Sequence, residues 1–127
     1  MFTVVKTGLA PSTAPVNGTV RSGDIIYTAQ VPRDPKTGKM VEGDIKVQMR
    51  QTLTNLKQAI EAGGGTLRDV AQVIVYLVHS SDGPGMNEVY KEFFKEPYPS
   101  RATVVVKELM GPTMRVELIA HANLAKA

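Results

Sequence analysis

"DIKVQMRQTLTNLKQAIEAGGGTLRDVAQVIVYLVHS", residues 44–80, holds two hydrophobic rhythms in one unbroken stretch. In its first half Ile45, Met49, Leu53, Leu56 and Ile60 recur at three- and four-residue steps, which lays one apolar stripe along a helix. Asp44 is placed to cap that helix, which is predicted to run to about Ala62, and the glycines at 63–65 end it. Arg50, Lys57 and Glu61 fall mostly off the stripe, so the helix is expected to cover a sheet with one face and meet water with the other. In the second half, "DVAQVIVYLVHS" is a nearly continuous β-branched and apolar run, the pattern of a central strand with both faces covered.

Upstream, "TVV" at residues 3–5 reads as a short first strand, and "VNGTVRSGDIIYTAQVP" carries N-G and S-G-D turn signals between short strands such as 25–30, most simply a hairpin. "RDPKTGK" supplies Asp, Pro and Gly in turn order. Downstream, a second helix follows "SSDGPG" with Met86, Val89, Tyr90, Phe93 and Phe94 at helical spacing, and Pro97 and Pro99 stop it. "RATVVVK" and "MRVELIAHANL" close the chain as strands. The order strands, helix, strand, helix, strands predicts one domain over residues 1–127, an α+β layer with two amphipathic helices on one face of a mixed sheet. Alternate residues of the last strands form two sets, Val104, Val106, Val116 and Leu118 against Thr103, Val105 and Ile119, and both are largely apolar. An apolar sheet face without helices calls for a partner subunit, so a homo-oligomer is expected.

The composition narrows the function. With 43% hydrophobic and 21% charged residues the chain has the make-up of a folded globular protein. No cysteine is present, which removes disulfides, thiolate nucleophiles and cysteine-bound zinc together. The N-terminal residues lack a basic segment leading into an apolar run, and nowhere does the chain approach the ~20 apolar residues that cross a bilayer, so a cytoplasmic protein without membrane association is expected. The net charge of +3 comes from scattered cations, which does not favour nucleic acid as a partner.

Few residues are left to carry chemistry. Arg101 stands between a proline-broken loop and the run "TVVV", at what reads as the mouth of a strand entering the core, and its planar fork suits a carboxylate or phosphate. The plainer alternative is an exposed arginine or one paired with a nearby acid. Glu117 alternates with the apolar Val116 and Leu118, and a buried carboxyl must be paired, hydrogen-bonded or neutral. It is therefore either an acid/base group or the partner of Arg115 or Arg101 in a structural ion pair. His79 and His121 stand alone, so no metal site is expected. No nucleophile elbow occurs, and "GGGTL" lacks the ending of a phosphate loop.

Residues 24–77, from "DIIYTAQVPRDPKTGK" through "VIVYL", together with "MNEVYKEFF", "PYPSRATVVV" and "RVELIAHA", resemble the YjgF/RidA family of reactive-intermediate deaminases over nearly the whole chain. The resemblance implies a fold similar to bacterial chorismate mutase, assembled as a trimer with a barrel-like centre and pockets between subunits. It implies that Arg101 grips a substrate carboxylate and that Glu117 positions or activates a water. By the same resemblance Asn87 lies beside the pocket, the backbone N–H at Thr103 helps hold the ligand, and backbone groups of Thr28 and Ala29 face it, while Met86, Tyr90 and the phenylalanines stay in the core. The implied reaction is hydrolysis of a short-lived enamine or imine, of the 2-aminoacrylate or 2-iminobutyrate type, to a 2-oxo acid and ammonia without a cofactor. Two positions depart from the family pattern: Val16 replaces a pocket tyrosine, and "TAQ" at 28–30 stands where the family has "SGQ" and reads as one residue shorter, which shifts the backbone groups of Thr28 and Ala29. Two other implied uses are a non-catalytic trimer that binds small carboxylates or 2-oxo acids, and a family member that cleaves RNA, inhibits translation or acts as a chaperone.

Overall fold

A computed structural model describes residues 1–126. The strands are β1 (Thr3–Val4), β2 (Thr19–Ser22), β3 (Ile25–Gln30), β4 (Val70–Leu77), β5 (Ser100–Val105) and β6 (Val116–Asn123), with helices α1 (Ile45–Ala62) and α2 (Gly83–Phe93). The strands form one six-stranded mixed sheet in the order β1-β2-β3-β6-β4-β5, in which only β4 and β5 run parallel. Both helices pack on one face, the α+β arrangement read from the sequence. Among the described residues no helix is long and apolar enough to cross a membrane.

Helix α1 begins and ends where its residues require. The Asp44 carboxylate accepts the Val47 amide at 3.0 Å, satisfying one of the free N–H groups of the first turn. All five residues of the predicted stripe are buried, each contributing about 1.5–3 kcal/mol of hydrophobic stabilisation. Gly64 takes φ +101°, a backbone region that excludes most side chains, and Arg21 donates to the Gly63 carbonyl at the helix end.

Helix α2 starts at Gly83, inside the "SSDGPG" segment, with its proline in the first turn, where a missing N–H costs nothing. It stops at Phe93, before either proline. Exposed ion pairs Lys46–Glu88 and Arg50–Glu92 bridge it to α1.

Alternation along the strands separates two sheet faces. Ile26 of β3, Val73, Val75 and Leu77 of β4, and Val116, Leu118, Ala120 and Ala122 of β6 are buried under the helices. On the opposite face lie Val20, Tyr27, Ile74, Tyr76, Ile119 and Val104, half-buried or exposed, so β4 has one covered face and not the predicted two. The strand register also regroups the residues of the last two strands. Val104 pairs with Tyr76, which pairs with Glu117, so Val104 belongs to the open face, while Thr103 and Val105 pair with Val75 and Leu77 on the helix side. Strand β5 is the sheet margin, and Val104 and Val105 are 41% and 52% exposed. Its valine run therefore does not enter the core of its own chain, contrary to the sequence reading.

Candidate functional site

Arg101 occupies a seat built by α2. Because β4 and β5 are parallel and Arg101 pairs with Val73, its side chain leaves the sheet on the helix side. One guanidinium nitrogen donates to Asn87 Oδ1 at 2.6 Å, and the other terminal nitrogen lies 3.7 Å from Met86 Sδ. The guanidinium carbon stands 4.5 Å from the centre of the Tyr90 ring, and that ring stacks in turn on Phe94 at 4.6 Å. Met86, Asn87 and Tyr90 fall at three- and four-residue steps along α2, so a single helical face presents sulfur, amide oxygen and aromatic face to one cation.

Among the described residues no acid pairs with Arg101. The ion-pair alternative for this residue is thereby removed, and its charge remains available to an anion.

Glu117 projects from β6 on the other face, beside Tyr76. It is half-buried, with no ion-pair partner among the described residues, and burial pushes its carboxyl above the ordinary range. Arg115 does not pair with it. That arginine grips Asp82 through two bonds of 3.0 Å instead. Arg101 and Glu117 thus stand on opposite faces of the sheet, two strand spacings apart, or roughly 10 Å, and offset along the strands by about as much again.

The remaining candidates divide in the same way. Thr103, exposed on β5, shares the helix-side direction of Arg101. Thr28 and Ala29 lie on β3, separated from β5 by β6 and β4, roughly 14 Å across the sheet. The Thr28 hydroxyl is buried between Thr19 Oγ1 and the Gln30 side-chain amide, each at 2.8 Å, and the Ala29 N–H donates to the Gly18 carbonyl. Val16 is 60% exposed in a loop that is exposed from Pro11 to Gly18. A single chain therefore brings together Arg101 and Asn87, with Thr103 beside them, and leaves Glu117, Val16, Thr28 and Ala29 elsewhere.

Two hollows of the chain lie away from these groups: one of about 410 Å³ beside Val5, Arg21 and Gly63, and one of about 240 Å³ between Leu67, Phe93 and Pro97. The chemistry of Arg101 and the shape of these hollows point to different places. The charge and its partners carry more weight, since neither hollow contains Arg101 or Glu117 and both open to solvent.

Sequence reasoning left two features out. Tyr90 and Met86 were read as core alone, yet both also form the arginine seat; their helical spacing with Asn87 was the available signal. The Asp82–Arg115 pair joins residues 33 apart in sequence and left no local trace.

Comparison with known proteins places the chain in a family. The profile described as endoribonuclease L-PSP matches residues 7–124. The chain belongs to the YjgF/RidA family. It is 43% identical to a RutC family protein of Pyrococcus horikoshii over 95% of this chain and 98% of that protein. It is 37% identical to the 2-iminobutanoate/2-iminopropanoate deaminase of the mite Dermatophagoides farinae over 91% of each. Among solved structures it superimposes on RidA from the Antarctic bacterium Psychrobacter with a TM-score of 0.88 at 33% identity, covering 95% of this chain and 98% of that one.

Proposed function

We propose that the protein hydrolyses short-lived imines and enamines of small carboxylates, of the 2-aminoacrylate or 2-iminobutyrate type, to 2-oxo acids and ammonia, at sites completed between copies of the chain in a homotrimer. The observation that carries this reading is the Arg101 guanidinium, fixed by an amide oxygen, a thioether and an aromatic face and paired with no acid. A carboxylate is the ligand such a fork suits best. The deaminase name of the mite relative supports the same substrate class.

Within that reading each group has a defined task. Arg101 binds the substrate carboxylate and so fixes the adjacent imine carbon. A water adds to that carbon: a C–O bond forms, the C=N π electrons move to nitrogen, and Glu117 accepts the water's proton. Glu117 passes that proton to the nitrogen to give an amino alcohol and then moves the hydroxyl proton to the nitrogen in the same way; the C–N bond breaks with its electrons leaving on ammonia, and the carbon–oxygen bond becomes a carbonyl. Imine and water are consumed, and 2-oxo acid and ammonia are formed. A carboxyl raised by burial is better matched to this two-way transfer than an ordinary glutamate.

Because Arg101 and Glu117 leave opposite faces of one sheet, a site that uses both takes Arg101, Asn87 and Thr103 from one copy and Glu117 from the next. On this reading Ala29, Thr28 and Val16 come with Glu117, and the apolar open face becomes a subunit contact. The test is complementation. Arg101→Ala and Glu117→Ala should each abolish ammonia release from freshly generated 2-iminobutyrate. Refolding the two together in equal amounts should restore about a quarter of wild-type activity, the fraction of all interfaces in randomly mixed trimers that hold both intact residues. Single variants that stay active, or a mixture that stays dead while correctly assembled, would overturn the reading.

RNA cleavage is a second reading, favoured by the description of the family profile. Against it, Lys46, Arg50, Lys57 and Arg115 are each neutralised by an acidic partner. A salt-sensitive nuclease activity surviving in Arg101→Ala would support it.

A further inference from the structure

Arg115 is held at two points. Its backbone N–H donates to Gln48 Oε1 at 2.7 Å, and Gln48, fully buried on α1, also donates to the carbonyls of Val41 and Thr113. Its guanidinium meets the Asp82 carboxylate fork to fork, with Nε–Oδ2 and Nη2–Oδ1 both 3.0 Å. Asp82 is 6% exposed and immediately precedes α2, yet its side chain makes no capping bond to that helix. Its backbone is already helical, at φ −80° and ψ −8°, so the first-turn N–H groups do not compete for the carboxylate. Here it is committed to the residue just before β6.

The consequence follows from what the two elements carry. Helix α2 supplies Met86, Asn87 and Tyr90, the three groups around Arg101. Arg115 lies two residues before Glu117. The ion pair thus joins the residue just before the strand bearing the carboxyl to the residue just before the helix that seats the guanidinium. A two-bond pair fixes rotation as well as distance, which a single contact or an apolar patch does not. With Asp82 buried and the Arg115 side chain 36% exposed, the pair lies at the edge of the core, and an ion pair so placed contributes little net stability as a rule.

We infer that Asp82 and Arg115 are positioning residues for the carboxylate grip: they set the angle of α2, and through it the orientation of Arg101, without touching substrate. This rests on the deaminase reading above and deepens it, since carboxylate affinity would then depend on residues outside the pocket.

The test uses the full-length assembled protein and three variants, Asp82→Asn, Arg115→Lys and the exchanged pair Asp82→Arg with Arg115→Asp. Turnover of 2-iminobutyrate generated in the assay, the Kd for 2-oxobutyrate and the melting temperature are measured for each. Arg115→Lys keeps charge and stem but loses the fork, so it decides the matter even where Asp82→Asn does not fold. The expected result is a KM and a 2-oxobutyrate Kd raised about tenfold with kcat within about twofold of wild type, as a displaced but intact grip would give. Partial recovery of affinity in the exchanged pair is also expected. A lowered melting temperature with wild-type KM and Kd would overturn the inference and leave a structural pair only. Wild-type protein that neither binds 2-oxobutyrate nor releases ammonia would overturn the deaminase reading beneath it and the inference with it.

Discussion

The Arg101 guanidinium lies over the face of the Tyr90 ring, 4.5 Å from its centre, while the Tyr90 hydroxyl is buried without a hydrogen-bond partner. Ring and hydroxyl therefore have separable effects. Tyr90→Phe keeps the stack and removes an unsatisfied buried donor, and should leave 2-oxobutyrate affinity unchanged while stabilising the fold by up to about 1 kcal/mol. Tyr90→Leu loses the aromatic face and should weaken that affinity several-fold, in line with the ~0.5–2 kcal/mol of a cation–π contact. Calorimetric binding and thermal unfolding of the two variants check both. A fall in stability for Tyr90→Phe would mean that the hydroxyl finds a partner in the assembly.

Lysine is not an adequate substitute at 101. It keeps the positive charge but replaces a planar fork, which meets Asn87 and Met86 at once, with a mobile point charge. Arg101→Lys should weaken 2-oxobutyrate binding by about tenfold or more, the ~1.5 kcal/mol of one charge-assisted hydrogen bond. Titration of ligand into the assembled variant measures it.

Glu117 gives the protein a specific dependence on pH. Its folded carboxyl titrates above the ordinary range because burial disfavours the charged form. The fold thus binds this proton more tightly than the unfolded chain does. Its contribution to stability is fully present below the unfolded value and is lost as pH rises through the raised folded value. Urea unfolding between about pH 4 and 7 should show that decline in wild type and a flatter profile in Glu117→Gln. Equal slopes for the two proteins would contradict the assignment.

Gln48 holds three backbone groups at once, those of Val41, Thr113 and Arg115, from a fully buried position on α1. Gln48→Leu fills similar space but leaves these groups without partners, and should cost at least about 2 kcal/mol. Denaturant midpoints at constant slope would measure the loss.

What could be read from the chain before its structure follows a physical division. Helix α1 was legible from end to end because its cap, its stripe and its terminating glycines are all local signals. Glu117 was visible as a carboxyl between apolar neighbours, but its lack of an ion-pair partner was not, since that depends on Arg115 turning to Asp82. The valines of β5 misled for a related reason: an apolar run announces burial without saying whose atoms will cover it. The seat of Arg101 was hidden because Tyr90 carries the same helical spacing whether its ring faces leucine or a cation. Asn87 and Arg101, placed in the site by resemblance, do meet at 2.6 Å.

Strand β5 has a last consequence, for the life of the newly made polypeptide. Its outer rim offers unused amides and carbonyls along Ala102–Val105, without the proline or inward-facing lysine that usually blunts such an edge. Any similar strand passing by could zip onto it. A high local concentration of newly made chains, by bringing such rims together, is then when clumping begins.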